Sequence, residues 1–273
     1  MKLSEFSFFK PINKYYRYVF PKAKPHVTFH KRVWLASISF FVANCCNLKC
    51  DYCCHFNQFR KGIIQLSELK IWFNDWSTVI DPQSVILVGG EPLINPEIAE
   101  IAAAVRYFWR RTKIRILTNG RLIPKINTEK LRQLKRIKVV FDISPHGVNE
   151  ELKNNIEKIL NNYGIKFKWN LSDQSWQELY HIENGQPIPL QCNPTEAYKI
   201  CNRKDCIAIN DNKLFKCSYL ANINAAYNEG ILPDNWKKAA QTKTLTPNAT
   251  ATEIVNFLRN GAIPECAICP DTK

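Results

Sequence analysis

The stretch NCCNLKCDYCCHF, residues 44–56, contains five cysteines. Three of them, Cys46, Cys50 and Cys53, are spaced as Cys-x3-Cys-x2-Cys. Three thiolates this close on one loop can bind three corners of a cubane iron–sulfur cluster, which leaves a fourth iron without a protein ligand. Catalytic metal sites need an open coordination position of this kind. The spacing therefore predicts a catalytic cluster on this loop.

Predicted strands and helices alternate from residue 36 to about residue 170. The strands are expected at 36–42, 84–90, 113–120, 137–144 and 165–170, and the helices at 67–80, 96–110, 128–134 and 149–164. Ser67 is the expected N-cap of the first helix. Apolar strands alternating with helices indicate a parallel sheet covered by helices. Five or six such units predict an α/β fold, a partial (β/α)6 TIM-like barrel, with the cysteine loop at the carboxyl end of its first strand.

The pattern changes past residue 185, where prolines cluster and regular alternation stops. Residues 206–217 read as a hairpin that turns at 210–212. We therefore predict three parts: a basic aromatic extension (1–33), a partial barrel (34–185) and a small cysteine-rich domain (186–273). The last part contains the remaining thiols, namely Cys192, Cys201, Cys206, Cys217, Cys266 and Cys269. One close pair plus distant cysteines is typical of a four-thiolate site that stabilises a domain with little core.

The formal net charge is +14, and about half of the excess lies in the first 32 residues, where eight aromatic residues are interleaved. This extension is either a solvated segment packed on the barrel or a contact for an anionic substrate, an acidic partner or a membrane surface. The sequence has no secretory signal, and the run 33–48 is shorter than the roughly 18–20 residues of a bilayer span. Eleven cysteines without a secretory signal favour a reducing, cytoplasmic location.

Several motifs resemble those of the radical S-adenosylmethionine (radical SAM) enzymes. The trio Cys46, Cys50 and Cys53, with an aromatic residue before the last cysteine, resembles the family signature. Further matches stand at the ends of the second, third and fourth predicted strands: Gly89-Gly90-Glu91-Pro92, Thr118-Asn119-Gly120 and Ser144-Pro145-His146-Gly147. The last segment departs from the family's Ser-x-Asp-Gly pattern, because His146 stands where an acid is usual. The resemblance covers roughly residues 35–170.

The resemblance implies that Cys46, Cys50 and Cys53 hold a 4Fe–4S cluster and that S-adenosylmethionine chelates its open iron. One electron would cleave the sulfonium, and the 5′-deoxyadenosyl radical would abstract hydrogen from an unactivated C–H bond. The implied binding roles are backbone approach at Gly89 and Gly90, the amino group at Glu91, the adenine at Tyr52 and the ribose or carboxylate at Ser144, with Pro92 and Asn119 in the same motifs.

The C-terminal segment resembles the auxiliary-cluster domains of this family, the short twitch form or a truncated SPASM form. We expect one second 4Fe–4S cluster, held by four of five cysteines. The preferred ligands are Cys201, Cys217, Cys266 and Cys269, with Cys206 as the main rival and Cys192 as a bystander. Zinc is an alternative at this site, and a zinc site joining Cys50-x2-Cys53 to Cys266-x2-Cys269 is an alternative for the first trio.

The resulting prediction is a radical SAM oxidoreductase or epimerase that acts on a small polar molecule, such as a sugar or aminosugar. Only about 33 residues precede the first strand, too few for the peptide-binding domain of peptide-modifying relatives. His146 is the candidate substrate contact or acid–base group, and His55 is expected to be a packed or hydrogen-bonded side chain. The expected partner is an electron donor such as flavodoxin or ferredoxin. The alternatives are a maturase of a ribosomally made peptide and a basic nucleic-acid-binding protein with structural metal sites, although no nucleic-acid motif is found.

Overall fold

The computed structural model describes residues 24–57, 59–170 and 177–272. Residues 1–23, which make up most of the predicted basic extension, lie outside this part, so the proposed roles of that extension stay predictions. The first half of the described chain alternates strands and helices in the order β1 (His26–Val27), β2 (Val33–Leu35), β3 (Ile38–Ala43), α1 (Leu66–Ser77), β4 (Ile80–Pro82), β5 (Ser84–Gly89), α2 (Ile98–Phe108), β6 (Lys113–Thr118), α3 (Thr128–Ile137), β7 (Val140–Ile143), α4 (Glu150–Asn162) and β8 (Lys166–Trp169).

The second half has shorter elements, as the proline-rich sequence suggests. They are β9 (Tyr180–Glu183), β10 (Gln186–Pro189), α5 (Pro194–Ile200), β11 (Ala208–Asn210), β12 (Lys213–Phe215), α6 (Ser218–Asn228), α7 (Lys237–Ala240) and α8 (Ala251–Arg259). Short 3-10 helices cover Pro92–Ile94, Ile123–Lys125, Asp234–Trp236 and Pro264–Ile268. Among the described residues, no helix combines the length and the apolar character that crossing a bilayer requires.

The central sheet has seven strands in the order β12-β11-β3-β5-β6-β7-β8. The neighbours from β3 to β8 are parallel, β11 is parallel to β3, and only β12 runs antiparallel. This mostly parallel sheet confirms the predicted α/β class and is consistent with a partial barrel. Two small sheets, β1-β2-β4 and β9-β10, complete the described strands.

The core lies between this sheet and the helices that connect its strands. Every residue of β3 is buried, because this strand is covered on both faces and is wholly apolar apart from Ser39. Helix α1 turns one apolar stripe, spaced i, i+3, i+4 and i+7, towards the sheet: Leu69, Trp72, Phe73 and Trp76. Phe40 of β3 packs edge-on against Phe73 with ring centroids 4.9 Å apart.

Helix α1 begins two residues earlier than an N-cap at Ser67 predicts. Its N-cap is Gln65, which makes no side-chain cap hydrogen bond, so the prediction of Ser67 as N-cap is wrong. The backbone N–H of Leu66 instead donates to Oε2 of Glu97 at 2.9 Å. A carboxylate from the following βα unit therefore satisfies an N–H group that a local cap would otherwise serve.

The predicted hairpin is confirmed as β11 and β12, and it extends the central sheet. Asp211 and Asn212 form its turn with φ values of 50° and 51°, the left-handed conformation that two-residue hairpin turns need. The backbone N–H of Ser39 in β3 donates to the carbonyl of Ile207 at 2.9 Å. The sheet is thus continuous across the domain boundary predicted near residue 185, which stays a prediction.

Candidate active site

A cleft opens at the carboxyl ends of the parallel strands, with an empty volume of about 1100 Å³. Loops that follow β3, β5, β6 and β7 meet there, as the fold requires of an α/β active site. Eight of the residues predicted for the catalytic cluster, S-adenosylmethionine and substrate line this cleft: Cys46, Cys50, Cys53, Gly89, Gly90, Asn119, Ser144 and His146. The C-terminal segment closes one side of it with Arg203, Cys206, Ser218 and Tyr219.

The three predicted cluster cysteines lie in a setting that matches thiolate ligands. The backbone N–H of Leu48 donates to Sγ of Cys46 at 3.4 Å. Burial raises the pKa of Cys46 to about 12, with smaller contributions from the negative charges of Glu91, Cys53 and Cys50. Burial also raises the pKa of Cys53, although backbone N–H groups, including that of His55, are directed at its sulfur. Such thiols ionise when a bound cation compensates their charge, so this donor set fits an iron–sulfur cluster.

No three His, Cys, Asp or Glu side chains in the described part of the chain converge on a position for a single metal ion. The cysteine ligands of a cubane bind different irons and do not need one shared point. The two Cys-x2-Cys pairs of the alternative zinc site line different cavities, one containing Cys50 and Cys53 and the other Cys266 and Cys269.

The glycine turn after β5 is pressed against the cysteine loop. A Cβ atom on Gly89 would lie 2.2 Å from the carbonyl oxygen of Ala43, and one on Gly90 would lie 2.1 Å from that of Cys45. The N–H groups of Gly90 and Glu91 donate to these same two carbonyls at 2.9 and 3.0 Å. Glycine is therefore required at both positions for contact between two backbones. The close approach predicted there for S-adenosylmethionine stays a prediction.

Glu91 lies behind the cleft wall and is fully buried. Its Oε1 accepts from the Thr118 hydroxyl at 2.7 Å and from the Leu93 N–H at 3.0 Å, and its Oε2 accepts from the Asn119 N–H at 2.8 Å. Burial nevertheless raises the pKa of Glu91 to about 7, against the opposing effect of these donors. The carboxylate thus joins the ends of β5 and β6, and the buried Pro92 begins the 3-10 helix that follows it.

Asn119 connects the loop after β6 to the cysteine loop. Its Nδ2 donates to Oδ1 of Asn47 at 2.7 Å, and its Oδ1 accepts from the N–H of Arg121 at 3.0 Å. Ser144 is placed by its backbone N–H, which donates to the carbonyl of Thr118 at 2.9 Å. Both side chains therefore reach the cleft from loops held by neighbouring strands.

Tyr52 and His146 mark a second, adjoining cleft with an empty volume of about 1200 Å³. Tyr52 lines this second cleft and not the first. The centroid of its ring lies 5.4 Å from that of the Tyr180 ring. His146 lines both clefts, as do Cys50 and Leu48. His146 therefore stands where the two spaces meet, while the predicted contact of Tyr52 with adenine stays untested.

His55 contacts the glycine turn. Its Nδ1 lies 2.7 Å from the carbonyl oxygen of Gly89, which matches the hydrogen-bonded role expected of it. Because a carbonyl only accepts, Nδ1 carries the hydrogen. Burial lowers the pKa of His55 to about 4, so the ring is neutral near pH 7.

Four cysteines of the C-terminal segment line a separate cavity with an empty volume of about 520 Å³ that includes its opening to solvent: Cys201, Cys217, Cys266 and Cys269. Burial, with smaller contributions from the charges of Cys206 and Cys201, raises the pKa of Cys217 to about 12. Backbone N–H groups of Tyr219 and Leu220, in the first turn of α6, are directed at its sulfur. This is the preferred set of four, whereas Cys206 lines the first cleft. Arg203 and Tyr219 line both cavities and separate them.

Sequence reasoning missed part of the first cleft. Arg203, Ser218 and Tyr219 belong to no motif that could have placed them there. The only available indication was their position beside Cys201 and Cys217.

A sequence profile of the Radical SAM superfamily matches residues 40–172. A search of curated protein sequences finds no match.

Solved structures give similar folds. Native anSMEcpe with bound AdoMet (S-adenosylmethionine) and Cp18Cys peptide is 20% identical, with a TM-score of 0.39 over 49% of this chain and 42% of its own. Streptococcus suis SuiB bound to S-adenosylmethionine is 19% identical, with a TM-score of 0.40 over 51% of this chain and 33% of its own. This chain thus spans less than half the length of either protein.

BtrN in complex with AdoMet and 2-DOIA is 16% identical, with a TM-score of 0.50 over 83% of this chain and 82% of its own. At this identity the likeness concerns the fold alone, and it extends into the C-terminal segment. The profile match covers the cysteine loop, the glycine turn and the parallel strands that carry them. Residues 40–172 are therefore a Radical SAM superfamily domain.

Proposed function

We propose that the chain is a radical SAM enzyme in which Cys46, Cys50 and Cys53 hold a 4Fe–4S cluster beside a site for S-adenosylmethionine. The observation that carries the proposal is the shared cleft of these three thiols and the Gly89-Gly90 backbone, at the carboxyl ends of parallel strands. Such a cluster, when reduced, supplies the electron that cleaves S-adenosylmethionine to a 5′-deoxyadenosyl radical.

The protein's own residues give this site its shape. Hydrogen bonds from Gly90 to the last residue of β3, Ala43, and from Glu91 to Cys45 in the cysteine loop fix the distance between the thiols and the end of β5. The buried carboxylate of Glu91 holds the ends of β5 and β6 together, which supports the role of a positioning residue for it in preference to a direct ligand contact. The neutral His55 ring holds the Gly89 carbonyl. The site is therefore preorganised by contacts among its loops.

The cleft can also exclude water from the reacting atoms. Its walls include apolar side chains of three neighbouring strands together with a ring from α6, namely Phe41, Ile86, Val88, Leu117 and Tyr219. An apolar wall that excludes water protects reactive species from side reactions with solvent. Polar groups at the cleft, Ser144, His146 and Ser218, are positioned to bind a small polar substrate, with His146 as the proposed substrate contact.

We further propose that Cys201, Cys217, Cys266 and Cys269 hold a second 4Fe–4S cluster. All four line one cavity, and the Cys217 thiol precedes the first turn of α6, where a negative charge is favoured. Of the five candidates, Cys206 lines the first cleft and not this cavity, although its charge acts on Cys217. The proposed reaction is oxidation or epimerisation at a carbon of a small polar molecule, with a flavodoxin or ferredoxin as electron donor.

The test compares anaerobically reconstituted parent protein with a Cys46/Cys50/Cys53→Ala variant and a Cys45→Ala control. Iron, sulfide and zinc are counted, and 5′-deoxyadenosine is assayed after reduction with dithionite in the presence of S-adenosylmethionine. We expect about eight irons in the parent and control and about four in the triple variant. Deoxyadenosine should form in the parent and control alone. Zinc in place of iron, or no cleavage by fully loaded parent protein, would contradict the proposal.

A further inference from the structure

The inner face of strands β6, β7 and β8 carries a cluster of charges next to the cleft. Residues two apart on a strand share a face, and paired residues on neighbouring strands lie side by side. The sheet register places Leu117, Asp142 and Lys168 in one row. The row below consists of Arg115, Val140 and Lys166. Leu117 lines the active-site cleft, so these rows belong to the same side of the sheet as the cleft.

Four cations on these strands surround one carboxylate. The fully buried Asp142 forms an ion pair with Arg115, and Nζ of Lys168 lies 3.5 Å from its other oxygen. Lys113 and Lys166 lie within electrostatic range of this group. Burial and the charges of Arg115, Lys168 and Lys166 lower the pKa of Lys113, against the opposing effect of Asp142. Within the described residues, the one carboxylate of Asp142 cannot neutralise these four cations, so this face attracts further negative charge.

The cluster is accessible. The side chain of Lys168 is 51% exposed and that of Arg115 is 22% exposed, while Lys113 and Lys166 are exposed residues. Ser144 lines the cleft and follows Asp142 by two residues along β7 and the loop after it. This separation corresponds to about 7 Å along the strand. An anionic group on this face would therefore lie within the length of one small molecule from the cleft.

We propose that this basic inner face binds the phosphate groups of the substrate, so that the substrate is a small phosphate-bearing molecule of the pyrophosphate-linked or nucleotide-linked class. The inference rests on the proposed function, because it takes the cleft as the place of reaction. Phosphate groups carry several acceptor oxygens and more than one charge, which matches a cluster of lysines beside an arginine. The remainder of the substrate would extend past Leu117 towards Ser144 and His146.

The experiment measures binding of inorganic pyrophosphate to the full chain by calorimetry at low salt. The test variant is Lys166→Gln/Lys168→Gln, and the control is Lys237→Gln/Lys238→Gln, which removes the same charge from the exposed surface of α7. We expect binding to weaken at least about tenfold in the test variant, because two charge-assisted contacts are lost. The control should bind pyrophosphate as the parent does. Equal binding by test and control variants would overturn the proposal.

A second variant, Lys168→Glu, reverses one exposed charge and leaves the ion pair between Arg115 and the buried Asp142 in place. It should lower pyrophosphate affinity further than Lys168→Gln, and thermal unfolding confirms that each variant is folded. A single-stranded RNA oligonucleotide serves as the competing source of phosphate. Tight RNA binding that pyrophosphate does not displace would also overturn the proposal. Cleavage of S-adenosylmethionine by the parent is scored separately, so failure of the proposed function is distinguishable from failure of this site.

Discussion

Arg60 donates two hydrogen bonds to the carboxylate of Glu229, from Nε to Oε2 at 2.9 Å and from Nη2 to Oε1 at 2.7 Å. The guanidinium is 2% exposed, whereas the carboxylate, just past the end of α6, is 37% exposed. This pair connects the segment that follows the cysteine loop to the part of the chain that contains Cys217.

Replacement of Glu229 by Gln should therefore destabilise the protein. The change leaves a buried guanidinium without its counter-charge, and we expect the free energy of unfolding to fall by about 2 kcal/mol. Urea denaturation of the metal-free protein measures it. Glu150→Gln is the matched control, because its carboxylate is 81% exposed and its pair with Lys153 should contribute under about 0.5 kcal/mol. Equal effects of the two substitutions would contradict the assigned role of Arg60.

Gly90→Ala should disrupt the cysteine loop. The new Cβ would collide with the Cys45 carbonyl, and backbone atoms cannot move aside as a flexible side chain does. We expect at least about 2 kcal/mol of destabilisation and reduced iron incorporation. Gly261→Ala is the control, because a Cβ there meets no atom within 4 Å and its φ is not positive. Normal iron content in Gly90→Ala would show that the two backbones can separate without loss of the site.

The pH dependence of stability should reveal the raised pKa of Glu91. Since burial raises its folded-state pKa to about 7 from an ordinary value of 4.5, its neutral form is favoured in the folded protein. The stabilising contribution of Glu91 to the free energy of unfolding is fully present below about pH 4.5. It is lost as the pH rises through 7, and the total loss is about 3 kcal/mol. His55 has the opposite effect in a similar range, because its lowered pKa removes stability as the pH falls.

Comparison with Glu91→Gln separates these two contributions. As the pH rises from 4.5 to 7, the parent should lose stability relative to Glu91→Gln, because only the parent has a carboxyl group at this position that must ionise. Urea denaturation of metal-free protein measures the free energy of unfolding of both. A difference that stays constant over this range would show that Glu91 titrates normally in the folded state.

Single cysteine substitutions should distinguish the ligands of the second cluster. We expect Cys217→Ala to lose about four of the irons of the reconstituted parent, because Cys217 lines the cavity shared by four thiols. Cys206→Ala should keep them, since Cys206 faces the other cleft. Iron counting and the visible absorption of the clusters provide the measurement, and Cys192→Ala is the control. Loss of iron in Cys206→Ala would restore Cys206 as a ligand.

Much of the fold was predictable because it depends on local patterns. Apolar runs such as residues 84–90 and 113–120 predict buried strands, and the loops behind them carry the motifs that meet in the cleft. The grouping of Cys46, Cys50 and Gly90 followed from one geometric rule, that parallel strands bring their carboxyl ends to the same edge.

Contacts between distant segments were not predictable in the same way. The cap of α1 comes from Glu97, and the partners of the Glu91 carboxylate lie on the next strand, at Thr118 and Asn119. No local pattern in the sequence specifies such pairings. The placement of Cys206 in the first cleft likewise depends on how β11 meets β3, a pairing across about 170 residues of chain.

The pairing of β11 with β3 also has a consequence for fragments of this protein. Strand β3 is almost entirely apolar and fully buried, and β11 pairs with its outer side at Ser39 and Phe40. A fragment that ended near residue 185 would expose β3 as an apolar edge strand with unpaired backbone N–H and C=O groups. Chains aggregate through such edges. Covering this sheet edge is therefore a role of the C-terminal segment that needs no bound metal, and we expect the part of the chain before residue 185 to aggregate when it is produced alone.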